Sequence, residues 1–407
     1  MQPAKSSSEA VLKWAKKVGE PFDEKTYANN TVSKIKLVGN YLYVADDAKH
    51  RIMKIDKKDG TILKEQKYCD ESYIQGYVSS IGYGDGKVYV GYDNGRVQAF
   101  DENTLESLWI TDENKNAINS DFVFTNGKLY FGTTAKTTDW YDNGAPFSYY
   151  VVTTSDDDKT KPDEEKTMKK VVESKTGKFY LKKGVVLGKY IVISDTAGTL
   201  TMIDTTNDKV TDTKDIGEAF SGNITYDEMT GTIYFVAGTN DLYGIKVSAD
   251  GKLKDEKKVR LYETGYSSTT PEVYNGKVYV SGSKGKAFQD KGYMAVADVS
   301  SGKYKVNYTV ELSNYSQCEP TIVKTGENSV RVYFTINDEP GGIYAIEDSK
   351  DATSATLETV YEPTGDIKNT GCMSDVVVDE DGTIYFANDS KYIMSVGKKL
   401  KIQKNQM

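Results

Sequence analysis

The sequence predicts an all-β protein in which eight four-stranded antiparallel sheets form a closed ring, an eight-bladed β-propeller. The first observation is a unit at residues 84–109, which holds short alternating strands, an Asn94-Gly95 turn and a third strand that ends in Trp109. β-Branched and aromatic residues suit a packed, pleated surface, and Asn-Gly supplies the positive backbone angles of a hairpin turn. The second observation is that the unit recurs about eight times, near the ~40–50-residue spacing of one propeller blade.

The repeats also decide the domain organisation. The other copies lie at residues 41–56, 127–132, 190–204, 232–246, 277–298, 330–347 and 383–396. One such sheet cannot bury both of its faces, whereas a ring of sheets can, and a ring leaves only short, protected strand edges. Seven blades remain the alternative count. Because no linker interrupts the repeats, we expect one domain at residues 10–400, with tails at 1–9 and 401–407.

Taken in order, the predicted blades differ mainly in their loops. Blade three carries an insertion at residues 133–147 and a charged loop at 155–166, and blade six carries an insertion at 281–292. The DDD and DEE runs of the charged loop are expected to be solvated, because such clusters of charge cannot be buried. The predicted blades span residues 32–67, 77–111, 122 onward, 184–215, 222–259, the copy at 277–298, 319–361 and 374–396.

Residues 10–18 precede the first complete copy and place Trp14 where the repeat has its outer-strand tryptophan. The last copy ends at residue 396, so we expect this segment to supply the outermost strand of the last blade. Such a strand would join the two ends of the chain. A helix is the alternative, because Leu12, Ala15 and Val18 also fit helical spacing.

The repeat has a recognisable third-strand motif, which reads AFDENTLESLW at residues 99–109 and more weakly KIDKKDGTILKE at 54–65 and VADVSSGKYKVNY at 296–308. It resembles the repeat of the quinoprotein (PQQ)-like β-propellers, whose blades read G-x-V-Y-V, a turn, then A-x-D-x-x-T-G-x-x-x-W. The resemblance covers nearly the whole chain and implies the fold. It also implies a non-catalytic role at the bacterial cell surface, since the family includes proteins of that kind.

The enzymes of that family indicate which residues quinone chemistry requires. They commonly carry a tryptophan floor over the channel, in many cases a disulfide between adjacent cysteines, and a calcium ion beside a catalytic Asp. Here no two cysteines are adjacent, and the three tryptophans fall on predicted outer strands or in an insertion. The single histidine, His50, cannot build a catalytic triad or a multi-histidine metal site. We therefore expect a protein that is not an enzyme and has no catalytic residue, metal or cofactor.

The cysteines leave two possibilities open. SQCEPTIV and TGCMSDVVV align, which predicts that Cys318 and Cys372 occupy the same place at the channel-side start of neighbouring blades. We expect two free, partly buried thiols, and a disulfide is the alternative.

Composition excludes some classes of partner. The net charge is −8, with 52 basic and 60 acidic residues interspersed, so no basic face is expected for a nucleic acid. No apolar run approaches the ~20 residues of a membrane helix, so membrane insertion is not expected. Tyrosine occurs 31 times. Its abundance indicates β-rich structure, a binding surface, or both. The Lys-rich, Tyr-rich, acidic composition is typical of secreted bacterial surface proteins.

The candidate binding surface follows from blade topology. In a propeller, the turn between the second and third strands and the connection between blades open on the same face, so both insertions lie on one rim. That rim has aromatic rings beside amide and hydroxyl groups, as a glycan or an extended peptide requires. The predicted ligand-binding residues are Phe22, Tyr73, Asn119, Trp140, Tyr141, Phe220, Tyr266, Tyr315 and Gln317.

The predicted function is therefore that of a monomeric, secreted or cell-surface protein that binds a glycan or a protein ligand through this rim. The alternative is an assembly scaffold resembling the propeller lipoprotein of outer-membrane assembly. A quinone-dependent dehydrogenase is the third possibility, and the missing cofactor residues count against it.

Overall fold

The computed structural model describes residues 2–19, 32–69, 81–136, 145–285 and 291–399. Its strands form eight sheets, each built on four antiparallel strands and arranged as the blades of a propeller, which confirms the predicted fold. Two of the sheets carry one additional strand. Helical structure in the described ranges is confined to two short 3-10 turns, Asp47–Lys49 and Gly365–Ile367. None of the described segments forms a helix with the length and apolar character that crossing a bilayer requires.

The chain begins with a strand that belongs to the last blade and then builds blades one to four in order. In each blade the strands run from the channel outwards, and we call them the first to the fourth strand. The strands of this half are β1 (Ala10–Lys17); in blade one β2 (Lys36–Val38), β3 (Tyr41–Asp46), β4 (Arg51–Asp56) and β5 (Ile62–Lys67); in blade two β6 (Gly82–Gly84), β7 (Lys87–Gly91), β8 (Val97–Asp101) and β9 (Ser107–Thr111); the short β10 (Ala117–Ile118); in blade three β11 (Val123–Thr125), β12 (Lys128–Thr134) and β13 (Phe147–Thr153); the short β14 (Glu164–Lys166); then β15 (Lys169–Ser174) of blade three; and in blade four β16 (Val185–Leu187), β17 (Tyr190–Ser194), β18 (Thr199–Asp204) and β19 (Lys209–Asp215).

Blades five to eight repeat the same order without extra strands. Blade eight has only three strands of its own after residue 376, and β1 completes it. The strands are β20 (Thr225–Asp227), β21 (Thr232–Ala237), β22 (Asp241–Val247) and β23 (Leu253–Arg260) in blade five; β24 (Glu272–Tyr274), β25 (Lys277–Ser283), β26 (Gly292–Asp298) and β27 (Lys305–Leu312) in blade six; β28 (Thr321–Lys324), β29 (Ser329–Thr335), β30 (Ile343–Ser349) and β31 (Glu358–Tyr361) in blade seven; and β32 (Val377–Val378), β33 (Ile384–Ala387) and β34 (Tyr392–Lys398) in blade eight.

Strand β1 closes the ring as the sequence predicts, and the helical alternative is wrong. It pairs antiparallel with β34, with Ala10 opposite Lys398 and Lys17 opposite Tyr392. The indole of Trp14 on this strand donates a hydrogen bond to the carbonyl oxygen of Lys57 at 3.0 Å, and Lys57 belongs to blade one. Strand β1 therefore completes blade eight and also connects it to blade one.

The hydrophobic core is divided among the gaps between blades. Eight apolar clusters each join two neighbouring blades, including the cluster between blades eight and one that contains Val18, Leu42, Ile55, Tyr385 and Ile393. Because every blade is buried on both faces, the second and third strands read as nearly continuous apolar runs. The ring is therefore closed by packing as well as by strand pairing.

Many of the tyrosines serve this core. Seven of the eight second strands carry a tyrosine at the same place in the repeat, and each of these is at most 2% exposed. The hydroxyl groups of several of them donate hydrogen bonds to the next blade. The seven are Tyr43, Tyr89, Tyr130, Tyr234, Tyr279, Tyr333 and Tyr385.

The charged loop after β13 differs from its prediction. Residues 164–166 were expected in a solvated loop, but they form β14, which pairs in parallel with β9 and adds a fifth strand to blade two. Strand pairing uses only backbone groups, so the carboxylates need not be buried. The ammonium group of Lys166 lies 3.0 Å from the carboxylate of Asp157 in the same loop. A loop of solvated charged residues can therefore contain a short strand that pairs with the open edge of a sheet.

The segment before β1 also differs from the tail that the sequence suggests. Ala4 is 1% exposed and belongs to the core between blades seven and eight. The amide of Ser7 donates to the carbonyl oxygen of Thr359 at 3.0 Å. The side chain of Gln2 donates to the carbonyl oxygen of Lys324 at 2.6 Å. Residues 2–9 therefore pack against blade seven.

Candidate functional site

The first strands carry a repeated feature that the structure makes visible. Strand pairing sets a common register, since Thr321 lies opposite Tyr333 in blade seven and Val377 lies opposite Tyr385 in blade eight. We call the residues two positions before each first strand the channel ring. The described members are Lys34, Asp121, Lys183, Asn223, Thr270, Glu319 and Asp375.

In four of the described blades, the residue before the ring member is bonded through its side chain to the second strand of its own blade. The hydroxyl oxygens of Ser33, Ser120 and Ser374 accept backbone N–H groups of Ala45, Gly132 and Ala387 at 2.9, 2.8 and 3.2 Å. The thiol sulfur of Cys318 accepts the N–H of Thr335 at 3.1 Å in the same way. Each bond fixes the chain just before the first strand, so the next side chain is aimed at a defined place.

These bonds also correct the predicted alignment of the cysteines. Cys318 is equivalent to Ser374, and Cys372 lies two residues earlier in its blade, so the two thiols do not occupy the same place. Both are free and fully buried, where the sequence suggested partial burial. Burial raises the pKa of each thiol.

Two ion pairs dominate the channel ring. The ammonium group of Lys34 lies 2.8 Å from the carboxylate of Asp375. That of Lys183 lies 3.4 Å from the carboxylate of Glu319, which joins blade four to blade seven. The backbone N–H of Glu319 donates to Asp375 at 2.8 Å and links the two pairs.

The pKa shifts show how strongly these charges feel one another. Burial alone would lower the pKa of Lys34, but the carboxylates of Asp375, Asp121 and Glu319 outweigh burial and raise it. Burial raises the pKa of Asp121, and Lys34 and Lys183 offset only part of that shift. Burial and the neighbouring Glu319 raise the pKa of Glu272 to about 8. Glu272 therefore holds a proton at neutral pH.

A cavity of about 220 Å³ lies among these side chains. Ring members and the first-strand residues that follow them line it, because alternate residues of a strand point the same way. The side chains of Lys34 and Asp375 are 30% and 22% exposed, and both residues line this cavity. The charged lining consists of Lys34, Lys36, Asp121, Lys183, Glu319 and Asp375.

The predicted rim residues fall into three groups. Phe22, Tyr73, Trp140 and Tyr141 lie outside the described residues. Phe220 and Asn119 are 3% and 2% exposed, so their side chains do not face solvent. The ring of Phe220 packs 4.6 Å, centroid to centroid, from that of Phe235 in the core between blades four and five.

The remaining predicted residues come together at blades six and seven. The side-chain amide of Gln317 donates to the hydroxyl of Ser268 at 3.4 Å, and Asn337 donates to the phenol oxygen of Tyr315. Tyr266 forms a bridge with Ser283 at the end of β25, with backbone bonds of 3.0 and 2.8 Å. Tyr266, Ser268, Tyr315 and Gln317 are all half-buried. We call Tyr266, Ser268, Tyr315 and Gln317 the mouth patch.

The mouth patch and the channel ring belong to the same connections between blades. Ser268 and Gln317 each stand two residues before a ring member, Thr270 and Glu319. The mouth patch therefore lies nearer the loops, and the charged cavity lies deeper along the channel. In the sequence, aromatic residues point to the patch, whereas the signal for the cavity is a charged residue two positions before the first strand, which was not among the predicted site residues.

Among the described residues, no group of three or more His, Cys, Asp or Glu side chains is arranged to hold a metal ion. The ammonium groups of Lys34 and Lys183 lie among the channel carboxylates and already neutralise two of them.

Comparison with known proteins supports the fold and assigns no family. No protein-family model and no curated protein matches this chain. Among solved structures, BamB from Moraxella catarrhalis is similar with a TM-score of 0.64 at 12% identity, over 95% of this chain and 99% of that one. The computationally designed Ika8 protein is similar with a TM-score of 0.60 at 9% identity, over 98% and 100% of the two chains. At such identities the likeness concerns the fold alone. The chain is an eight-bladed β-propeller.

Proposed function

We propose that this protein is a non-catalytic binding propeller of the PQQ-like type, secreted or displayed on the cell surface, that holds a glycan or a protein ligand at the mouth patch. The observation that carries the proposal is the contact between Gln317 and Ser268, flanked by Tyr266 and Tyr315 on neighbouring blades. Half-buried phenol rings offer flat apolar area, and the amide and hydroxyl groups offer hydrogen bonds for the edges of a ligand.

The position of the chain ends is compatible with such a role. Ala10 lies opposite Lys398, at the end of a third strand, and third-to-fourth connections open on the face opposite the mouth patch. The amide of Lys399 donates to the carbonyl oxygen of Glu9 at 2.7 Å, and Gln2 binds Lys324 at the end of a first strand, so both described ends lie on that face. A monomer attached through either end would present the mouth patch freely.

One observation favours the scaffold alternative. Strand β14 pairs in parallel with β9, which shows that the outer edge of a blade in this protein accepts an added strand. Assembly scaffolds bind partners by the same backbone pairing. An added strand needs no side-chain pocket, so this role would not depend on the mouth patch.

A binding screen separates the two functions. The purified chain, immobilised through a C-terminal tag, is exposed to an array of host and bacterial glycans beside a Tyr266→Ala/Tyr315→Ala variant. The control variant is Tyr190→Ala/Tyr274→Ala, which removes two half-buried tyrosines from the opposite face. The proposal predicts saturable binding that the first variant loses and the control retains.

Two other results would reject the glycan proposal. Equal binding by both variants would move the ligand away from the mouth patch. A blank array, followed by capture of a peptide that competes with a β14 peptide, would favour the scaffold.

A further inference from the structure

Two charged side chains of the channel cavity have no direct partner in the part of the chain that the structure describes. Lys34 is paired with Asp375, and Lys183 is paired with Glu319. Lys36 and Asp121 also line the cavity, and neither side chain forms a hydrogen bond or an ion pair with any other described residue. The cavity thus holds one unmatched ammonium group and one unmatched carboxylate.

The pKa shifts of these two groups agree with the absence of an ion pair between them. Burial lowers the pKa of Lys36, and Asp121 offsets only part of the effect. Burial raises the pKa of Asp121 despite Lys34 and Lys183. Asp121 acts electrostatically on Lys36, but no ion pair joins the two side chains, and both of them line the cavity. Lys36 is exposed and Asp121 is half-buried, and a guest with opposite charges would give each of them a charged hydrogen-bond partner.

The charge balance decides what kind of guest fits. With Glu272 protonated, the cationic side chains Lys34, Lys36 and Lys183 balance the anionic Asp121, Glu319 and Asp375. A guest with a net charge would upset this balance, whereas a guest carrying one charge of each sign would not. Its ammonium group would face Asp121 and its carboxylate would face Lys36.

The size of the cavity limits the guest further. Its 220 Å³ equals the liquid volume of a handful of water molecules at ~30 Å³ each. It lies below the ~300–1,000 Å³ of pockets for drug-sized ligands. We infer that the channel cavity binds a small zwitterion of amino-acid size, held between the carboxylate of Asp121 and the ammonium group of Lys36. This site is separate from the mouth patch and does not depend on its function.

The test is a calorimetric titration of the full chain with glycine, L-alanine, L-serine, β-alanine and 4-aminobutyrate, which vary the spacing of the two charges. N-acetylglycine and glycinamide are the matched probes, because each lacks one charge. At least one zwitterion is expected to saturate a single site, with both blocked probes at least tenfold weaker. A charge-assisted hydrogen bond supports a loss of that size.

Two substitutions assign the site to its residues. Asp121→Asn and Lys36→Gln keep the size of each side chain and remove its charge, and each is expected to weaken the zwitterion at least tenfold. Asp366→Asn and Lys64→Gln, on exposed parts of the ring, are the matched controls and should change nothing. Thermal unfolding of all four variants shows whether a loss of binding reflects a loss of folding.

Three results would overturn the inference. One is the absence of a saturable signal from every zwitterion, and another is equal binding of the blocked probes. The third is unchanged affinity in folded Asp121→Asn and Lys36→Gln chains. None of these results depends on glycan binding, so this inference and the proposed function fail separately.

Discussion

The hydroxyl group of Tyr333 donates a hydrogen bond to the carbonyl oxygen of Ala4 at 3.1 Å. The equivalent Tyr43 donates to Glu102 at 2.6 Å and Tyr385 to Lys57 at 3.2 Å, and both acceptors lie between the third and fourth strands of the next blade. Blade eight has no such connection, because its fourth strand comes from the start of the chain. Ala4 therefore replaces the missing connection, and residues 2–9 are part of the ring closure.

This replacement predicts an energetic coupling. Tyr333→Phe should lower the free energy of unfolding by about 1 kcal/mol, the net worth of one hydrogen bond. Removal of residues 1–5 deletes the acceptor as well as the contact between Arg331 and the carbonyl oxygen of Lys5. In the shortened chain, Tyr333→Phe should therefore cost close to nothing. Urea denaturation of the four chains gives the coupling directly.

The control for this cycle is Tyr385→Phe, because its acceptor on Lys57 remains in the shortened chain. Its cost should be the same in both backgrounds. Equal costs for Tyr333→Phe in the two backgrounds would show that Ala4 does not serve as its partner.

A second prediction concerns the buried charge between blades six and seven. Asp348 is 2% exposed and accepts from the ammonium group of Lys277 at 3.0 Å, from Tyr279 at 2.7 Å and from Tyr308. Asp348→Ala leaves a buried ammonium group and two phenols unpaired, so we expect a loss of roughly 3–5 kcal/mol in urea denaturation. Adding Lys277→Met should restore part of that loss, because the unpaired charge disappears.

The matched control for Asp348 is an exposed ion pair. Glu311, 56% exposed, pairs with Lys291 at 2.8 Å and also with Lys284. Glu311→Ala should cost less than about 1 kcal/mol, because water screens such pairs. A similar cost for Asp348→Ala would mean that burial does not strengthen the inner pair.

The sequence was sufficient for the fold because the repeat carries its own register. Apolar runs, Asn-Gly-type turns and the early Trp14 segment predicted the blades and the closing strand. It was insufficient for the channel, because ion pairs such as Lys183 with Glu319 join residues from blades that are not neighbours. It was also misleading for Phe220, since an aromatic residue in a connecting segment can turn inwards as readily as outwards.

Thiol reactivity gives a third prediction. Cys318 and Cys372 are fully buried, and burial raises the pKa of both thiols, so neither supplies an accessible thiolate. Cys69, just after β5, is only half-buried. A thiol reagent such as DTNB should therefore modify Cys69 first in the native chain and reach the other two only in denaturant. Cys69→Ser should remove the early phase, and a fast phase that persists in this variant would contradict the burial.

The last prediction is a pH dependence that arises from Glu272. Its pKa is raised from 4.5 to about 8 by burial and by Glu319, and Lys183 only partly opposes the shift. Between these pH values the folded chain holds a proton that the unfolded chain has released. The contribution of Glu272 to stability is therefore fully present below about pH 4.5 and is lost as the pH rises through 8. Urea denaturation from pH 5 to 8 should show the free energy of unfolding falling more steeply for the native chain than for Glu272→Gln. Exposed Glu358→Gln should follow the native chain, and a constant difference between the native and Glu272→Gln curves would show that Glu272 does not titrate in this range.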